Sequence, residues 1–381
     1  MAKVRHEILG DVYAPNSLAV FYYANTNRES PQGLYTDQYG FIHNGDPHRD
    51  LTKDLESGQR VFIFGGSSVA GQYSTTSNRR TIAAFMEEFL NAAPAAETQV
   101  VNAGIDSYES LRELMRAVDL MARFDMDTLV FLDGRNDFIR LTASNEFVPN
   151  YFPWQLKHIQ CDADLSEQNF FSRTLRRSST WRLASRIKHL GGNESQGPPV
   201  LNAVYGDGQN PAQVEVVDPD ALFTPDCFGF ALRRELTYRP EALTNYVNNL
   251  RSIAGICVGQ QKRCIIALQP VLGYGSRSLT SAEALFASKM PFENYFAVEA
   301  EFFDRARVEF QELSREFQDA NVQFIDLTQV FNDVPQRVFL DSVHYLDYGN
   351  CILGAALAAQ ITLGDWTQGA QHRRTCDALE R

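Results

Sequence analysis

The sequence predicts an α/β protein, a three-layer α/β/α arrangement around a central parallel sheet. Three observations predict it. Short, β-rich apolar runs recur along the chain, amphipathic helical stretches lie between them, and the links are short. The first run, Arg60-Val61-Phe62-Ile63-Phe64, ends at two glycines. Its unbroken apolar character suits a strand buried on both faces, as parallel strands are. Residues 79–92 then carry Ile82, Phe85, Met86, Phe89 and Leu90 at helical spacing. A second strand is expected at 99–102, a second helix at 108–124 through Leu111, Leu114, Met115, Val118 and Met121, and a third strand at 128–132. The rhythm resumes with a helix over about 240–258 and a strand at 263–268 ended by Pro270. A long helix over about 293–318, a strand at 322–326 and a last helix over about 347–362 complete it.

Three segments fall outside the alternation. Residues 1–58, rich in Asn, Asp, Tyr and Gly, read as an N-terminal arm packed on the core. The catalytic part is expected over 59–365, with a large insertion at about 140–240. Within the insertion, 170–190 reads as helical and the Gly-, Pro-, Asn- and Gln-containing stretch 191–215 as a mobile loop, together capping the site. Residues 366–381 read as a polar, loosely held tail. No internal repeat or heptad pattern is visible.

Composition bounds the function. The chain has 381 residues, 44% hydrophobic and 22% charged, as in globular proteins with a sizeable core. A net charge of −12 argues against nucleic acid or an anionic membrane as the main partner. No apolar run approaches the roughly 20 residues a membrane helix needs. The N-terminus has no apolar stretch behind its basic residues, so a cytoplasmic location is expected. Cys161, Cys227, Cys257, Cys264, Cys351 and Cys376 are scattered, without a C-x-x-C, and read as free, mostly buried thiols of a reducing compartment. The seven histidines show no H-x-x-x-H pairing, so no zinc site and no cofactor is expected.

Four short stretches carry chemistry: Phe64-Gly65-Gly66-Ser67-Ser68, Asn102-Ala103-Gly104, Gly134-Arg135-Asn136-Asp137 and Asp341-Ser342-Val343-His344. Each adjoins an expected strand. Together they offer a nucleophile, two oxyanion donors and an acid–base pair, the set needed for acyl transfer through a serine. A G-x-S-x-G elbow is absent, since Val69 and Ala70 stand where its last glycine would be. Neither a P-loop nor a dinucleotide fingerprint is present.

The pattern resembles the SGNH (GDSL-like) hydrolases over roughly residues 59–140 and 320–362. That family carries a G-D-S-type block, a glycine, an Asn in G-x-N-D and a C-terminal D-x-x-H. Here Gly66 replaces the usual Asp, and Gly104, Asn136, Asp341 and His344 fit. The resemblance implies an SGNH/flavodoxin-like sheet and a serine esterase needing no cofactor. Alignment with G-D-S selects Ser67 over Ser68 as nucleophile. Asp341, three residues before His344, can reach the imidazole Nδ1 and leave Nε2 for the serine. The Ser67 N–H, the Gly104 N–H and the Asn136 side chain are the expected oxyanion donors. A turn glycine and a helix cap are the plain structural explanations of Gly104 and Asn136. Asp137 reads as structural, holding its loop. The segment from Tyr35 to Phe41 also resembles SGNH-like proteins of bacterial surface-polysaccharide pathways. The leading reading is hydrolysis of an O-acyl ester of a carbohydrate or small metabolite. Acyl transfer through the same residues and a non-catalytic binding module are the alternatives. The sequence does not fix oligomeric state.

Overall fold

The computed structural model describes residues 3–6, 10–21, 33–53, 55, 58–71, 74–92, 97–142, 236–290 and 293–377. Nearly all of the expected insertion, with its helix and loop, lies outside the described residues. The described residues fall in one compact unit, formed by 1–143 with 234–381.

Two antiparallel pairs come first: β1 (Lys3–His6) with β2 (Gly10–Tyr13), and β3 (Leu18–Phe21) with β4 (Gly33–Tyr35). The main sheet has five parallel strands: β5 (Gln59–Gly65), β6 (Thr98–Asn102), β7 (Thr128–Asp133), β8 (Arg263–Leu268) and β9 (Val322–Asp326). Their spatial order is β6-β5-β7-β8-β9. Counted within the sheet this is 2-1-3-4-5, the flavodoxin-like order, whose direction reverses between β5 and β7. The helices are α1 (Ser67–Ala70), α2 (Ile82–Leu90), α3 (Ser110–Met121), α4 (Arg135–Thr142), α5 (Pro240–Gly259), α6 (Ser281–Ala287), α7 (Tyr295–Glu316), α8 (Asp347–Leu363) and α9 (Arg373–Cys376).

Side-chain alternation along each strand divides the core into two layers. Phe62, Phe64, Leu129, Phe131, Ile266 and Leu268 pack with residues of α3, α5 and α7. Val61, Ile63, Val130, Leu132, Ile265 and Ala267 pack with α2 and α8. Both faces are therefore covered, which is why these strands read as continuous apolar runs. Gly354 lets α8 approach α2 closely: a Cβ there would lie 2.6 Å from the Phe85 Cβ and 3.0 Å from the Met86 amide. The arm contributes Phe41 and Leu51 to the layer around Phe62.

The two edges of the sheet differ. In β6, Thr98, Val100 and Asn102 turn their backbone groups outward, because the bonds Gln59 N–H to Glu97 O and Ala103 N–H to Ile63 O fix which residues face β5. Side chains close that edge. Asn91 pairs with both Thr98 N–H and Thr98 O at 2.8 Å. Glu87 accepts from Val100 N–H at 2.7 Å, and Asn44 donates to Val100 O at 2.8 Å. Ile42 bridges to Asn102.

Two expectations are corrected. The cysteines within the described residues are not free: Cys257 pairs with Cys264 and Cys351 with Cys376. The turn joining α5 to β8 sets Cα 257 and Cα 264 6.2 Å apart, within disulfide reach. Cys161 and Cys227 lie outside the described residues. The tail is also not loose through residue 377. A 3₁₀ helix (Trp366–His372) and α9 fold back on α8, Cys376 is fully buried, and Tyr348 donates to Asp377 at 2.8 Å. No helix among the described residues is long and apolar enough to cross a membrane.

Candidate active site

The C-terminal ends of β5, β6 and β7 and the loop after β9 carry the four motif stretches. Ligands of open α/β sheets bind at that edge, where strand order reverses. Here the reversal lies between β5, which leads to Ser67, and β7, which leads to Asn136.

β5 ends at Gly65, and Gly66 caps the single turn of α1 that begins with Ser67. Ser67 Oγ lies 2.8 Å from His344 Nε2. On the other side of the ring, His344 Nδ1 lies 2.5 Å from Asp341 Oδ2. Ser68 points elsewhere, donating to Val343 O at 3.1 Å. The structure thus brings Ser67, His344 and Asp341 into one hydrogen-bonded line and separates Ser68 from it. Ser67 and His344 are each 8% exposed and Asp341 3%, so the line is shielded from solvent yet not sealed.

The loop from 341 to 344 is held by Asp341 itself. Its Oδ1 accepts the N–H groups of Val343 and His344, each at 2.8 Å. Burial alone would raise the Asp341 pKa. The positive charge His344 can carry and the bonds from His344 and Val343 outweigh it and hold the carboxyl down to about 2. Asp341 therefore stays ionised and fixes the imidazole with Nδ1–H as donor and Nε2 as acceptor.

Gly104 and Asn136 both reach this corner, each already bonded. Gly104 N–H donates to Asn102 Oδ1 at 3.1 Å, while Asn102 Nδ2 donates to Val69 O at 2.9 Å. Asn102 thereby ties the β6 loop to α1. Asn136 Nδ2 donates to Tyr108 O at 2.6 Å, which occupies one of its two hydrogens. The Asn136 amide lies against Gly66: a Cβ on Gly66 would stand 2.4 Å from Asn136 Nδ2 and 3.0 Å from Tyr108 O. Gly66 thus leaves the space that the Asn136 amide uses. Asp137 accepts from Ser110 N–H at 3.1 Å and Ser110 Oγ at 2.5 Å, capping α3, whose own N-cap Glu109 makes no side-chain cap bond.

Several supporting residues were not singled out from the sequence. Arg135 Nε stands 3.0 Å from Glu299 Oε1, and an Arg135 terminal nitrogen donates to Ser342 Oγ at 3.4 Å. Tyr295 donates to Glu299 at 2.9 Å. Burial pushes Glu299 up to about 7, against the Arg135 charge and the Tyr295 hydroxyl. Arg135 thus links the turn bearing Asn136 to the loop bearing Asp341. Asp133 ends β7, accepts from Tyr246 at 2.6 Å, and burial raises it to about 6. Asn102 and Arg135 sat inside the motif stretches, where their position was the available signal. Glu299, Tyr295 and Tyr246 lie on helices whose spacing marks them only as core. No group of His, Cys, Asp and Glu among the described residues is arranged to hold a metal ion.

No family model matches the sequence, and no curated protein matches it. The chain is similar to solved structures. One is a catalytic mutant of an acetylxylan esterase from Geobacillus stearothermophilus, 14% identical, covering 82% of this chain and 98% of that one, with a TM-score of 0.41. Another is a member of the lipolytic protein G-D-S-L family from Veillonella parvula DSM 2008, 10% identical, covering 80% of this chain and 98% of that one, with a TM-score of 0.37.

Proposed function

We propose that this protein is a serine-dependent ester hydrolase of the SGNH type, acting on an O-acyl ester of a carbohydrate or small metabolite. The observation that carries the reading is the line Ser67 Oγ–His344 Nε2–Asp341, with contacts of 2.8 and 2.5 Å, at the point where strand order reverses. A serine hydroxyl is a weak nucleophile until a base takes its proton. His344 Nε2 is within reach to do so, and ionised Asp341 stabilises the imidazolium that forms.

In this mechanism the Ser67 Oγ lone pair attacks the acyl carbon as its proton passes to His344. The carbonyl oxygen becomes an oxyanion. The Ser67 N–H, at the first position of α1, has no acceptor within its own helix, and Asn136 keeps a second N–H beyond the one given to Tyr108. Gly104 N–H would share itself between Asn102 and the oxyanion. Collapse of the intermediate expels the alcohol, which takes the proton from His344. Water, deprotonated by the same imidazole, then releases the acid and frees Ser67.

A fluorophosphonate probe, followed by peptide mapping, tests this. The expected label sits on Ser67, vanishes in Ser67→Ala and His344→Ala, and persists in Ser68→Ala, which loses only a bond to Val343 O. Aryl acetate hydrolysis should fall with the label. A folded wild-type protein that takes no label and hydrolyses no ester would overturn the proposal.

A further inference from the structure

Arg116 lies on α3 with its side chain turned into the protein, only 5% exposed. Arg112, one turn earlier, is equally buried and pairs with Glu109 at 2.9 Å. Arg116 has no carboxylate within ion-pair distance among the described residues. Buried charges are normally paired, because taking a lone charge out of water is costly. Burial accordingly pushes the Arg116 pKa below its usual value, yet a guanidinium keeps its proton inside a protein. Its contacts are one backbone carbonyl and one ring. Arg116 Nε donates to Ala103 O at 2.9 Å, and the guanidinium stands over Phe41, 5.5 Å from the ring centroid.

That carbonyl belongs to the peptide whose other end is the Gly104 N–H. The peptide is trans, so its C=O and N–H point in opposite directions, and fixing one fixes the other. Arg116 holds the carbonyl through a charge-assisted bond, about twice as strong as a neutral one. Asn102 Oδ1 accepts the N–H at 3.1 Å. The peptide is also wedged against α1, since a Cβ on Gly104 would stand 2.7 Å from Ala70 N and 2.8 Å from Val69 Cγ1. The N-terminal arm braces both holders. Asp37 Oδ1 accepts from Phe41 N–H at 3.0 Å, which sets the ring under Arg116, and Ile42 bridges to Asn102.

We propose that Arg116 is a positioning residue for Gly104: by holding the Ala103 carbonyl it keeps the Gly104 N–H turned to the corner where the oxyanion forms. The proposal rests on the serine-hydrolase reading of Ser67. Without Arg116 the peptide is free to rotate, and a carbonyl oxygen turned into that corner would repel the developing negative charge. The same contact polarises the peptide and strengthens its N–H as a donor. It also accounts for a buried arginine that no carboxylate neutralises.

Two substitutions in the full chain separate the placed donor from the bulk of the side chain. Gln carries an amide nitrogen as many bonds from Cα as the Arg Nε, and Met carries a methyl group there. In aryl acetate hydrolysis, Arg116→Met should lose about 10–100-fold in kcat with KM little changed, less than the 10²–10³ lost with a whole oxyanion donor. Arg116→Gln should stay within about threefold of wild type. Both should fold, as circular dichroism checks, because replacing a buried charge by a neutral group of similar length is often tolerated. Wild-type kcat in Arg116→Met overturns the proposal. A folded Arg116→Gln that loses tenfold or more also overturns it, whether or not Arg116→Met folds, since a donor at the right place would then not suffice. Wild-type protein without Ser67-dependent hydrolysis overturns the hydrolase reading and this proposal with it. Hydrolysis that is lost in Ser67→Ala leaves that reading standing whatever the Arg116 variants do.

Discussion

At Asp341 two opposing effects act on one carboxyl group. Burial favours its neutral form; the imidazole of His344 and three hydrogen bonds favour its charge, and they prevail, from 3.8 to about 2. A depressed folded pKa stabilises the fold above the unfolded value. Asp341 thus contributes about 2 kcal/mol above roughly pH 4, lost as pH falls towards about 2. Denaturation curves from neutral to acid pH should show this loss in the wild type and not in Asp341→Asn. That variant should also lose on the order of 10⁴ in kcat, because an amide can hold the imidazole in the wrong tautomer. Equal acid sensitivity of the two proteins would sink the assignment. This residue was legible because its link to His344 is local, three positions along one loop. Asn102 and Ser342 were not legible as supports, because what they hold lies on other elements.

Turns decide the geometry at the next scale. Gly66 has ordinary backbone angles, φ −78° and ψ −151°, so strain does not require glycine there. Space does, since any Cβ would displace the Asn136 amide from Tyr108 O. Gly66→Ala should therefore fold and still bring Ser67 to His344, but should lose about 10²–10³ in kcat with KM little changed, as when an oxyanion donor is removed. Wild-type kcat in Gly66→Ala would detach Asn136 from the chemistry. The long elements were legible from periodicity alone: β8 and β9 have the expected bounds, and α5, α7 and α8 differ from expectation by one or two residues. α6 was missed although Thr280 and Glu283 form a capping box. Seven residues give too few turns for an apolar stripe to show. The hairpins of the arm were missed for a similar reason, since strands of three or four residues carry almost no alternation.

Over the whole molecule, the two disulfides among the described residues, Cys257–Cys264 and Cys351–Cys376, remove the ground on which a reducing compartment was expected. Scattered cysteines gave no spacing signal, because each pair is set by how α5 meets β8 and how the tail meets α8. A chain this long buries enough apolar surface to fold without staples. Disulfides form and persist in oxidising compartments and are rare in reducing ones. Alkylation in denaturant without reductant should leave Cys257, Cys264, Cys351 and Cys376 unmodified, and prior reduction should expose all four. The Cys351–Cys376 bond spans 25 residues and joins the tail to the helix that follows His344. Closing such a loop contributes about 3.5 kcal/mol, against about 2.4 for the short Cys257–Cys264 loop. Cys376→Ser should thus lower stability more than Cys264→Ser measured by the same denaturant titration. Reductant should then cost Cys376→Ser less than it costs the wild type. Four alkylated cysteines before reduction would instead return these residues to free thiols and restore the reducing compartment as the expectation.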